Sequence, residues 1–233
     1  MTTGSSNIAW QHQLIPRLAA QWRLKQFVIT GGMTTFFVAY FMLLNFTVFP
    51  VTEMPVTAID RLIDFSPQAL WLYISLWVYV NLVPALLDSR RELLVYYLSA
   101  GAVCIVGLSI FFFWPTTTPA ANIDWARYPL FQPLKAVDRS GNAFPSLHAC
   151  FAIFSGIWLD RLLRQMQASV LVRLLNASWC LGILYSTLAT KQHVAVDLFA
   201  GVALGTAGAG LRLKISQIAQ RFPKLTAAAP GKL

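Results

Sequence analysis

Two histidines and one aspartate stand out in a chain whose other residues are mostly apolar: His148, His193 and Asp197. His193 and Asp197 are four positions apart, so on a helix they lie one above the other. A carboxylate there can accept a hydrogen bond from one imidazole nitrogen. That fixes the tautomer and raises the basicity of the other nitrogen, as a histidine nucleophile or base requires. His148 follows Pro145-Ser146. Proline is favoured in the first turn of a helix and serine at its cap. A helix start of this kind offers free amide N–H groups and a positive dipole end to a phosphate. His148 then lies in the first turn, placed to donate a proton.

The elements that must position these groups are membrane helices. Hydrophobic residues make up 57% of the 233 and charged residues only 12%, about half the charged fraction of a soluble domain. Crossing ~30 Å of hydrocarbon takes ~20 apolar residues. Six stretches qualify: 27–49, 67–87, 93–114, 144–163, 172–190 and 194–212. The predicted fold is all-α, a polytopic bundle of six transmembrane helices. Residues 1–26 form an N-terminal segment before it and 213–233 a tail, disordered at its end. With six spans both termini share one side, and thirteen of the eighteen lysines and arginines fall there. The positive-inside rule makes that side cytoplasmic. The 50–66, 115–143 and 186–193 loops then face outward, and so do His148, His193 and Asp197. Ionisable groups at that depth are costly and usually functional. The net charge of +9 fits this topology, with an attraction to anionic lipid, better than it fits nucleic acid.

The other features read as structural. Cys104, Cys150 and Cys180 lie inside apolar blocks with no metal or redox spacing, as core-filling thiols. Gly201-x3-Gly205 is a close-packing face for the last span. Asp160-Arg161 is expected to form an ion pair at the inner end of the fourth. Trp10, Leu14, Leu18 and Trp22 recur at helical spacing and predict an amphipathic helix on the inner surface, with His12 beside it and away from the site. The segment before residue 27 is too polar, and the following block too long, for a cleaved signal. The sequons at Asn45 and Asn176 read as chance matches inside apolar blocks.

The combination F-P-S-L-H at 144–148 and S-T-x5-H-x3-D at 186–197 resembles the second and third motifs of the type 2 phosphatidic acid phosphatase superfamily, usually PSGH and SR-x5-H-x3-D. Ser146, His148, Ser186, His193 and Asp197 match in identity and spacing. The resemblance implies an integral-membrane enzyme acting on lipid phosphates. In it His193 attacks phosphorus to form a phosphohistidine, Asp197 orients it, and His148 protonates the leaving group and then activates the acceptor. Amides around Ser146 and Leu147 hold the phosphoryl oxygens, and Ser186 is a further candidate. No metal and no cofactor is implied. The partners are a phosphate-bearing membrane lipid and the bilayer, with no nucleic acid.

Leu147 replaces the glycine of PSGH, Thr187 replaces the arginine of the third motif, and the first motif, K-x6-RP, is absent at its spacing. PSLH is similar to the branch containing inositol phosphorylceramide synthase and sphingomyelin synthase, which transfer a headgroup to an alcohol. The transition state still spreads negative charge over three oxygens, and cations should meet it. Lys135, Arg139 and Lys191 are the favoured candidates, with Arg127 behind them. The expected activity is hydrolysis of a lipid phosphomonoester or diphosphate at the outer face of a bacterial inner (plasma) membrane. The alternatives are headgroup transfer to a lipid or polyol alcohol, and non-catalytic lipid transport on the same fold.

Overall fold

A computed structural model describes residues 9–137 and 141–221. Arg139 and the expected tail from residue 222 lie outside the described residues. A 3₁₀ turn (Trp10–Gln13) leads into α1 (Leu14–Ala19) and α2 (Trp22–Asn45). The loop after α2 holds β1 (Thr52–Glu53) and α3 (Ala58–Leu62). Next come α4 (Ala69–Ile74), α5 (Leu76–Leu86) and α6 (Arg90–Phe113). The loop after α6 carries β2 (Thr116–Thr117) and α7 (Gln132–Val137). The chain closes with α8 (Leu147–Gln165), α9 (Val170–Ala189) and α10 (Ala195–Arg221).

Among the described residues, four helices are long and apolar enough to cross a membrane: Trp22–Asn45, Ala69–Leu86 (α4 with α5), Arg90–Phe113 and Val170–Ala189. The chain is therefore a membrane protein. Exposed Phe27, Val38 and Met42 on α2, and Leu174, Leu175 and Leu181 on α9, form a surface that lipid would cover. The two other expected spans are helices at the expected places but fall short by that measure. The apolar part of α10 runs only over Ala195–Leu211. α8 ends with Asp160, Arg161 and Arg164. The reason lies in packing. α8 is the central helix, against α5, α9 and α10, so much of its surface meets protein and little needs to dissolve in lipid.

Serine fixes where three helices begin, each accepting a backbone N–H three residues on: Ser89 from Glu92, Ser146 from Ala149 and Ser169 from Val172. One expected span is broken at Ser75, whose hydroxyl donates to Leu72 O (2.6 Å) and accepts from Trp179 Nε1 (2.9 Å). The N-terminal expectation needs correcting. α1 stops at Ala19, Gln21 has φ 55°, and Trp22 already begins α2. Lys25 causes this break to be held: it is buried, and its ammonium donates to Arg17 O (2.7 Å) and Ala85 O (2.8 Å).

The expected Asp160–Arg161 pair does not form either. Neighbours on a helix point about 100° apart, and the two side chains serve different helices. Asp160 accepts from Arg164 and Arg173 (2.7 and 2.8 Å), while Arg161 donates to Glu92 of α6 (2.8 Å). Cys150 and Cys180 are buried, Cys104 is partly buried, and all are free thiols. Asn176 is buried and hydrogen-bonded to Tyr79 Oη (2.6 Å) and Gly156 O (3.1 Å).

The α8–α10 contact is built on glycine. A Cβ at Gly201 would lie 2.2 Å from Ser146 O, and one at Gly205 would lie 2.2 Å from Cys150 O. Both obstacles are backbone and cannot move aside. Gly201→Ala is expected to push α10 from α8, cost at least about 2 kcal/mol in thermal unfolding in detergent, and lose activity with it. Gly210 has nothing within 4 Å of its Cβ position, so Gly210→Ala should leave both unchanged. Equal behaviour of the two variants would remove glycine from the packing account.

Candidate active site

The loops after α2 and α6 knit together over one end of the bundle. β1 pairs in parallel with β2, and Thr117 bridges to Gly141. Thr116, buried in that strand, accepts the Phe144 N–H on its hydroxyl (2.8 Å). The start of α8 is thus held from both sides, because Ser146 N–H donates to Asp197 O (3.0 Å). Ser146 Oγ accepts the Ala149 N–H (3.2 Å). The Ser146 groups are spent on capping α8 and joining it to α10. Leu147 turns its side chain to α6, where a Cβ on Gly107 would meet it at 2.7 Å. A leucine in this motif therefore fills the notch that Gly107 leaves.

His193 sits in the tight turn between α9 and α10. Thr187 O, near the end of α9, accepts the N–H groups of both Gln192 and His193 (3.2 Å each). The imidazole is 8% exposed, and its Nδ1 lies 3.6 Å from Asp197 Oδ2. That is an ion-pair approach, a few tenths of an ångström longer than a hydrogen bond. Oδ2 already accepts the Val194 N–H (3.0 Å), capping α10. Asp197 is fully buried, and neither its Oδ1 nor His193 Nδ1 has a hydrogen-bond partner among the described residues. Unsatisfied buried polar atoms lower stability. Two of them side by side mark a place where something other than stability is served.

His148 comes to the same place from α8. Its ring centroid is 5.9 Å from that of His193. On its other side it stacks on Tyr73 of α4 (4.3 Å, 20°), and Tyr73 Oη is 3.2 Å from its Nδ1. The edge of Trp77 closes the group at 6.1 Å. Two imidazoles and a carboxylate thus converge from α8, the α9–α10 turn and α10.

Asp60 was not among the residues singled out by sequence. It is buried beside the turn. Its Oδ2 accepts from Thr57 N–H and hydroxyl (2.7 and 2.8 Å), and its Oδ1 accepts from Ala195 N–H (2.7 Å). Thr57-x-x-Asp60 is a capping-box spacing legible in the sequence, but its reach to Ala195 is not.

Four cations were expected near phosphate. Lys191 alone of them lines the cavity beside His193 among the described residues, a space of about 290 Å³ shared with Asp60, Phe65, Thr118 and Asn122. Its ammonium donates to Asp60 O (3.1 Å) and to Ile63 O. Lys135 lies over the Trp125 ring at 4.5 Å. Arg127 pairs with Asp124 (3.1 Å) and is 79% exposed. Ser186 is buried, and its hydroxyl donates to Ile183 O within α9 (2.6 Å). No cluster of three or more His, Cys, Asp or Glu suited to a metal ion occurs among the described residues.

A family model described as the PAP2 superfamily matches residues 91–221, more than half of the chain. The matched stretch contains His148, His193 and Asp197 and leaves out Asp60 and Tyr73. No curated protein and no solved structure matches the chain.

Proposed function

The chain belongs to the PAP2 superfamily, phosphatases and phosphotransferases of phosphorylated lipids, and on that premise we propose that it hydrolyses a lipid phosphomonoester or diphosphate through a phosphohistidine. The observation that carries the proposal is the convergence of His193, Asp197 and His148, with 3.6 Å between His193 Nδ1 and Asp197 Oδ2 and 5.9 Å between the two imidazole rings.

Because Nδ1 faces the carboxylate, Nε2 is the nucleophile. It attacks phosphorus, the bond from phosphorus to the leaving oxygen breaks, and His148 gives that oxygen its proton. Asp197 balances the charge that builds on His193. His148, now neutral, takes a proton from water as the water attacks the phosphohistidine. Inorganic phosphate leaves and His193 is restored. Lys191, which lines the cavity beside His193, is the described cation assigned to the phosphoryl oxygens.

The same reading places six spans in the membrane, the termini in the cytoplasm and the site at the outer face. The distribution of charge supports it. Arg17–Asp88, Glu92–Arg161 and Asp160 with Arg164 and Arg173 gather at the end of the bundle opposite the histidines.

The test is phosphate release by detergent-solubilised protein with EDTA present, on phosphatidate, phosphatidylglycerol phosphate and a polyprenyl diphosphate. A parallel arm follows a labelled phospholipid headgroup in the presence of an alcohol acceptor. Release without transfer supports hydrolysis. Transfer without release assigns the transferase alternative. Silence of a folded sample in both arms overturns the enzymatic reading.

A further inference from the structure

His148 and His193 have partners of different kinds. His193 faces a buried carboxylate. His148 faces a neutral hydroxyl, Tyr73 Oη at 3.2 Å, under a stacked ring. Tyr73 is itself buried, 1% exposed, on the short helix α4. The titratable groups around His148 among the described residues are Tyr73 from α4, His193 from the α9–α10 turn and, behind His193, Asp197 of α10.

We propose that Tyr73 is a positioning residue for His148, serving both protonation states of that imidazole without moving. The inference rests on the phosphohistidine reading above. A hydroxyl oxygen accepts a hydrogen bond without carrying charge. When His148 is charged, its Nδ1–H donates to Tyr73 Oη, and the Nε2–H faces the leaving oxygen. When His148 is neutral after giving up that proton, its Nδ1–H still donates to Tyr73 Oη, and the Nε2 lone pair faces the incoming water. A carboxylate in the same place would favour the charged form in both steps and oppose the return. A carboxylate suits His193, which carries charge while bonded to phosphorus. Stacking on the Tyr73 ring fixes the plane, and the hydroxyl fixes the rotation within it.

Tyr73→Phe keeps the ring and removes the hydroxyl. Two measurements test the proposal. The first is the ¹⁵N spectrum of histidine-labelled protein in detergent, with His148 assigned by its loss in His148→Ala. Neutral His148 is expected to show a proton held on Nδ1 in the wild type and a mixture of tautomers in Tyr73→Phe. Identical His148 shifts in the two proteins overturn the proposal, whatever the activity. The second is kinetic, on the substrate found active. Tyr73→Phe should lower kcat about 10- to 100-fold with KM within about twofold. It should also add nothing to the loss already caused by His148→Ala, because two residues of one unit are not additive. Unchanged kcat, or losses that multiply in the double variant, overturn it and leave the phosphohistidine reading standing. Absence of all activity alongside the tautomer change would end that reading instead and leave the hydrogen bond in place.

Discussion

His193→Ala is expected to abolish phosphate release while the protein stays folded. The expected fall is at least about 10⁴-fold, the scale for removing a covalent nucleophile. The turn does not depend on the side chain. It is held by the backbone, through Gln192 and His193 N–H on Thr187 O at 3.2 Å and Val194 N–H on Asp197 Oδ2 at 3.0 Å. Thermal unfolding in detergent should therefore shift little. His148 is not expected to take over, because in the proposed mechanism it stands on the leaving-group side. A second observable follows from the intermediate. Wild type quenched during turnover of labelled polyprenyl diphosphate should carry label that is lost in acid and kept in alkali, and His193→Ala should carry none. Retention of more than about a tenth of the wild-type rate would exclude His193 as the nucleophile.

Asp197→Asn separates activity from stability, with opposite expectations for the two. The amide oxygen can keep the bond from Val194 N–H, which caps α10. The charge is lost. Oδ2 faces both Val194 N–H and His193 Nδ1, so an amide oxygen there keeps both contacts but no longer balances the charge that builds on His193. Loss of the carboxylate from a comparable catalytic unit costs about 10⁴-fold in kcat, and a loss of about 10³- to 10⁴-fold is expected here, with KM little changed. Stability should stay level or rise. A fully buried carboxylate whose Oδ1 lacks a described partner is a burden on the fold, and removing the charge relieves it. Steady-state kinetics and thermal unfolding on one preparation check both. A fall in stability equal to the fall in activity would make Asp197 a structural residue only.

The match to residues 91–221 covers the candidate triad but not the loop and helix that support it. Asp60 and Tyr73 lie upstream. Asp60 holds the turn by its far flank through Ala195 N–H (2.7 Å), and its own carbonyl holds Lys191 on the near flank (3.1 Å). The N-terminal half of the chain thus supplies Asp60 and Tyr73 beside the site, while the C-terminal half supplies the candidate triad.

Local physics was enough for much of this in the sequence alone. The i, i+4 spacing of His193 and Asp197, the serine cap at Ser146, the places of the six helices and the Gly201-x3-Gly205 face each depend on residues within a turn or two of one another. Tertiary structure decided the rest. Tyr73 meets His148 across 75 positions and Asp60 meets Ala195 across 135, and no periodicity links residues so far apart. Span strength was also settled by packing. A helix at the centre, such as α8, is enclosed by α5, α9 and α10, so its apolar demand cannot be read from a threshold set for lipid. The cations went the same way. Lys135, Arg127 and Lys191 are equally charged in sequence, but a charge goes to whichever partner lies within reach after folding. Those partners are the Trp125 face, Asp124, and two carbonyls beside His193.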